Sequence, residues 1–119
     1  MMPEFPVTCR ATADYDSPYT GPFSLQKGEM VQVFRHDTQW PGWFWCTDAD
    51  AEFRCVPEAY LRRDGEAGRM LRDYEATELP VKTGEAVTAW HMESGWLWCT
   101  NQAGQSGWVP LDKLQIGGE

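Results

Sequence analysis

The sequence predicts an all-β protein built from two tandem copies of one small barrel-type unit. Three observations carry that expectation: an ordered internal repeat, strand-type composition in each copy, and no helical periodicity longer than a single turn. With 119 residues, the chain has room for one ordinary domain or two very small ones.

The repeat rests on four blocks that recur in order. Trp43-Phe44-Trp45-Cys46-Thr47 returns as Trp96-Leu97-Trp98-Cys99-Thr100, 53 residues later. Val56-Pro57 and Leu61 return at the same offset as Val109-Pro110 and Leu114. Lys27-Gly28-Glu29-Met30-Val31 matches Thr83-Gly84-Glu85-Ala86-Val87 at an offset of 56, and Asp14-Tyr15-Asp16 matches Asp73-Tyr74-Glu75 at 59. Each change of offset places three extra residues in the first copy, within 17–24 and 35–42. The Pro, Gly, Ser and Asp content of those stretches suits insertion-tolerant loops. The expected division is a first unit over 5–62, a linker over 63–68 and a second unit over 69–116.

Within each copy the residues alternate as strands do. Met30-Val31-Gln32-Val33-Phe34 and Ala86-Val87-Thr88-Ala89-Trp90 are rich in apolar and β-branched residues. The Trp blocks follow as a second strand. Period two puts Trp43, Trp45 and Thr47 on one face and Phe44 and Cys46 on the other. Phe, Leu and Cys favour burial, so the Phe44/Cys46 face and its Leu97/Cys99 counterpart are expected in the core, with the Trp outward. Asn101 to Gly107 reads as a hairpin turn, with Asp48 to Glu52 in its place in the first copy. One helical turn is expected near Pro57-Glu58-Ala59-Tyr60.

Charge narrows the functions. Ten Lys+Arg against 18 Asp+Glu leave a net charge of -8, which disfavours nucleic acid as a partner. No apolar run approaches the roughly 20 residues of a membrane helix, and the Met-Met-Pro-Glu-Phe-Pro start lacks a secretory pattern. No membrane association is expected. Cys9, Cys46, Cys55 and Cys99 form no CxxC pair, as expected of reduced thiols in a cytoplasmic protein. His36 and His91 have no activated thiolate beside them, and no phosphate-cradling Gly motif, GxSxG or HExxH occurs. No catalysis, cofactor or metal site is expected.

The aromatic content is high: seven Trp, four Tyr and five Phe supply both core filling and flat, adhesive surface, according to the side of the strand each one faces. Ala11-Thr12-Ala13-Asp14-Tyr15-Asp16 resembles the Ala-Leu-Tyr-Asp-Tyr opening of SH3 domains. Lys27-Gly28-Glu29 resembles the turn into that family's second strand, and Trp43-Phe44 its double-aromatic motif. Val56-Pro57-Glu58-Ala59-Tyr60-Leu61 is similar to its closing signature. The second copy matches through Asp73-Tyr74, Gly84-Glu85, Trp96-Leu97, Trp108-Val109-Pro110 and Leu114.

The resemblance implies two tandem SH3-like β-barrels whose shallow grooves bind extended peptides, including proline-rich ones with Arg or Lys. By position, the first groove would use Tyr15, Trp43, Pro57 and Tyr60, and the second Tyr74, Trp96, Trp108 and Pro110. Asp14, Asp16, Asp37, Glu78 and Glu93 would form an acidic rim. Ala13, Arg72 and Lys113 stand where the family has groove tyrosines, so the first groove is the more complete. The expected function is a non-enzymatic adaptor for a protein or peptide ligand. The alternative is a structural or assembly module whose Trp faces are buried between barrels or subunits, with self-association.

Overall fold

The structure is a computed structural model describing residues 4–17, 23–48 and 52–117. Its strands, in chain order, are β1 (Val7–Ala11), β2 (Ser24–Leu25), β3 (Met30–His36), β4 (Trp43–Thr47), β5 (Phe53–Pro57), β6 (Leu61–Asp64), β7 (Ala67–Met70), β8 (Tyr74–Glu75), β9 (Ala86–Glu93), β10 (Trp96–Thr100), β11 (Ser106–Pro110) and β12 (Leu114–Ile116). The only helix among the described residues is two single 3-10 turns, Glu58–Tyr60 and Leu111–Lys113. The all-β expectation holds, and the helical turn expected after Pro57 is the first of these. The first-copy hairpin at 48–52 falls partly outside the described residues.

The chain forms two compact units, and they are not the two sequential copies. The terminal unit combines Met1–Gly21 with Thr77–Glu119, and the central unit is Pro22–Ala76. Each contains one five-stranded sheet: β11-β10-β9-β1-β12 in the terminal unit and β5-β4-β3-β7-β6 in the central one. The two-stranded pair β2-β8 also belongs to the central unit. The opening strands of the two repeats have therefore changed places. β1, from the first repeat, pairs with β9 and β12 of the second. β7, from the second repeat, pairs with β3 and β6 of the first.

Residues 63–68, expected as a linker, are the reason. They form a hairpin in which only Gly65 and Glu66 separate β6 from β7, with Asp64 opposite Ala67 and Gly65 at φ +66. A two-residue connection can join only antiparallel neighbours. β7 must therefore lie beside β6, in the place β1 would otherwise take, and β1 is left to the equivalent place beside β12. The expected boundaries 5–62 and 69–116 do not describe these units, because they assign each opening strand to its own repeat.

Side-chain volume agrees with the exchange. Gly68 of β7 and Cys9 of β1 occupy equivalent positions of the repeat, opposite Val31 and Val87 respectively. A Cβ at Gly68 would lie 2.9 Å from Val33 Cγ2 and 3.2 Å from Leu61 Cδ2, so the central unit has no room for a side chain there. In the terminal unit, Cys9 packs into a buried cluster with Val87, Leu97, Cys99, Val109 and Leu114. Each strand carries the residue its new sheet accommodates.

Candidate peptide groove

The strand exchange regroups the aromatic residues. Tyr74 enters the central unit beside Trp43 (ring centroids 6.5 Å apart) and Tyr60 (5.5 Å, edge to face). Its hydroxyl donates to the Cys55 carbonyl at 3.0 Å, and Arg72 lies over the Tyr60 ring at 4.5 Å. Pro57 sits opposite Trp43 in the β4–β5 register. All four are buried: Trp43 is 4% exposed, and Tyr60 and Tyr74 are each 5%. The sequence expectation that Trp43 points outward is corrected. Its alternation is as expected, but at its end of the strand Tyr74 lies beside it and only 4% of it is exposed.

Tyr15 enters the terminal unit, where it bridges to Val81 and meets Trp96 edge to face at 5.9 Å. Trp96 lies opposite Pro110 on one side and Glu93 on the other. The turn that sets up this arrangement is short. Ser94 and Gly95 have φ of +47 and +91, and they join β9 directly to β10. Its counterpart in the central unit is longer, with three extra residues within 35–42, a stretch that includes Trp40. Tyr15 and Trp96 are half-buried, whereas Trp108 and Pro110 are buried. Trp108 packs edge to face on Trp98 at 5.4 Å and on His91 at 5.3 Å, as a core residue does. The two groove sets expected from sequence thus exchange their first tyrosine: Tyr74 joins Trp43, Pro57 and Tyr60, and Tyr15 joins Trp96, Trp108 and Pro110.

The acidic residues separate by task. Glu78 accepts hydrogen bonds from the Tyr15 hydroxyl and from Ser17 Oγ, the latter at 2.7 Å, so its carboxylate sits beside the Tyr15–Trp96 pair. Glu93 accepts from Ser94 Oγ at 2.9 Å. Asp14 and Asp37 are engaged in turns. Asp14 accepts the Thr83 N–H at 2.7 Å, and these bonds hold its carboxyl below the usual Asp range. Asp37 accepts from the backbone of Gln39 and Trp40 and from Trp45 Nε1 at 3.1 Å. Asp16 is exposed. The acids that stand beside the Tyr15–Trp96 pair are therefore Glu78, through the Tyr15 hydroxyl, and Glu93, opposite Trp96.

Burial pushes the Cys46 and Cys99 thiols up to about 12 and raises that of Cys9, which makes them poor nucleophiles. Among the described residues, no three His, Cys, Asp or Glu side chains are grouped to hold a metal ion. No helix among them is long and apolar enough to cross a membrane.

A five-stranded sheet with an aromatic pair and carboxylates at its rim defines a small β-type interaction module. The sequence matches the family of variant SH3 domains over residues 8–50 and 67–117, and the chain belongs to that family. Both repeats match, so the protein carries two SH3-like domains in tandem. Members of the family act in protein–protein interaction and are generally non-catalytic. A search of curated proteins finds no match. The matched segments follow the sequential repeats, whereas the folded units exchange their opening strands.

Proposed function

We propose that the protein is a cytoplasmic, non-enzymatic adaptor that holds an extended peptide of a partner protein in the terminal unit. The observation that carries this reading is the half-buried Tyr15–Trp96 pair beside the Glu78 carboxylate. An edge-to-face aromatic pair offers a cleft into which a proline or other rigid apolar residue can stack at little entropic cost. Glu78 and Glu93 then suit an Arg or Lys next to that residue. A shallow groove of this kind supports affinity around micromolar, roughly -8 kcal/mol.

A peptide array probed with the whole chain tests it. Proline-containing peptides with a basic residue should bind, and Trp96→Ala should weaken them at least tenfold while the amide spectrum stays folded. Unchanged binding by Trp96→Ala, or an array that yields nothing, would remove the assignment.

For the central unit, the burial of Trp43, Tyr60 and Tyr74 favours the structural reading. There the four residues Trp43, Pro57, Tyr60 and Tyr74 act as packing, and Trp43→Ala should lower stability rather than report on a ligand. Acrylamide quenching separates the two roles: Trp43 should be shielded and Trp96 accessible.

A further inference from the structure

The outer face of β3, β4 and β5 in the central unit presents Phe34 and Phe53 at 46% and 50% exposure. Their rings lie 5.1 Å apart, and with Trp45, Arg35, Arg63 and Glu66 they line an open groove of about 560 Å³. Alternation along β3 turns Phe34 outward with Met30 and Gln32, and the register of β3 against β4 is irregular between Val33 and His36. We infer that this groove docks an acidic segment of a partner protein that carries an aromatic or large aliphatic side chain.

Aromatic residues with Arg on a poorly covered face are the composition of protein-binding patches. Charge selects the partner's chemistry. The groove lining holds two arginines and one glutamate, in a chain whose net charge is -8. The nearby carboxylate of Asp37 is occupied by Trp45 Nε1 and two backbone N–H groups. Arg63 donates to the Gly65 carbonyl at 3.0 Å, whereas the Arg35 guanidinium has no partner among the described residues. The distant negative charge does not forbid an acidic ligand, because the Debye length of about 8 Å at physiological salt screens it while a contact with Arg35 is not screened.

The sister face of the terminal unit supplies an internal control. Trp90, His91, Trp98 and Ser106 occupy the positions of Phe34, Arg35, Trp45 and Phe53. There Trp90 Nε1 bonds Thr100 Oγ1 at 3.0 Å, and Thr100 bonds Ser106 at 2.7 Å. That face satisfies its polar groups internally and lacks arginine. The same strands carry two different surfaces, and only the central one pairs exposed Phe with a free guanidinium.

Selection from a displayed library of random 12-residue peptides tests the inference, using the whole chain with Trp96→Ala so that failure of the terminal-unit groove leaves this test unaffected. The expected peptides combine Asp or Glu with Phe, Trp or Leu. Their affinity should fall at least tenfold in Phe53→Ser and in Arg35→Glu. Arg35→Glu makes no core contact, so it decides the matter if Phe53→Ser fails to fold. The inference is overturned if nothing is enriched, if the peptides are basic, or if both variants bind as before. It is also overturned if sedimentation equilibrium finds a dimer that Phe53→Ser dissociates, which would assign the face to a second copy of the chain.

Discussion

The carboxylate of Asp14 accepts the Thr83 N–H at 2.7 Å and the Thr83 hydroxyl at 2.8 Å, although 69 residues separate the two in sequence. Asp73 does the reciprocal work, accepting the Lys27 N–H at 2.8 Å. Each Asp belongs to the Asp-Tyr block of one repeat and ties down the Gly-Glu turn of the other. The bonds to Thr83 hold the Asp14 carboxyl below its ordinary value. A group depressed in the folded state contributes stability above its unfolded pKa and loses it as pH falls through its folded one. The Asp14 contribution is therefore complete at neutral pH and disappears on acidification below about pH 4. Asp14→Asn should lower the melting temperature at pH 7 and shrink the difference from the parent at pH 3. Thermal unfolding across that range checks it.

Strand exchange also predicts how the chain divides. A fragment ending at Gly65 has β3 and β6 but lacks β7, the strand hydrogen-bonded between them. It also retains β1, whose partners β9 and β12 are gone. Such a fragment should give the collapsed amide spectrum of an unfolded chain. A fragment spanning 22–76 retains every strand of its own sheet and should give dispersed resonances. If the 1–65 fragment folds cooperatively, the exchange is wrong.

The pairing of Gly68 with one sheet and Cys9 with the other makes a stability prediction. Gly68→Cys adds a Cβ 2.9 Å from a Val33 methyl, and Val is stiff at χ1. Overpacking of this kind costs about 1–3 kcal/mol. Urea unfolding of Gly68→Cys should show a loss in that range. No measurable loss would mean that the central sheet can accept the first repeat's strand.

Much of this fold is legible in the sequence, because period-two alternation and the four repeated blocks directly report strands and their order. β4 and β10 occupy the residues expected for them, Trp43 to Thr47 and Trp96 to Thr100. The exchange is not visible in such patterns, since alternation gives β1 and β7 the same inward positions, Cys9 and Ala11 against Gly68 and Met70, and does not say which sheet takes which strand. One local signal did exist: Gly65-Glu66 between two short runs, with Gly at the first loop position, reads as a two-residue hairpin, and a hairpin there obliges β7 to take β6 as one of its neighbours. The candidate site was legible as residue types and not as groupings. Repeat spacing places Tyr15 and Tyr74 each in the repeat that encodes it, and the depth of Trp43 depends on what covers it, which alternation does not report.

Burial sets the reactivity of the thiols. Cys9 and Cys99 have no exposure and Cys46 has 2%, and desolvation holds the last two near pKa 12. Only the thiolate reacts, so these three should resist alkylation even at pH 9. Iodoacetamide followed by mass spectrometry should find at most Cys55 modified in the folded chain, and all four after denaturation in urea. Early labelling of Cys99 would show that the terminal core opens far more readily than its packing implies.

The ligand's charge offers the last test. If Glu78 and Glu93 flank the bound peptide, a basic residue beside its apolar part gains attraction from them and from the overall charge of -8. Both glutamates are half-buried, so they keep contact with water, and each pair should contribute only about 0–1 kcal/mol. Raising salt from 0.1 M to 1 M shortens the Debye length from about 10 Å to about 3 Å. Binding should weaken severalfold over that range, mainly through a slower association rate. It should not vanish, because stacking on Tyr15 and Trp96 is insensitive to salt. Glu78→Gln should flatten the salt dependence while leaving most of the affinity, whereas Trp96→Ala should remove affinity at every salt concentration. Titration of one peptide at both salt concentrations against both variants separates these contributions. A preference for acidic peptides in this groove, or binding that tightens with salt, would leave the two glutamates without the role proposed for them.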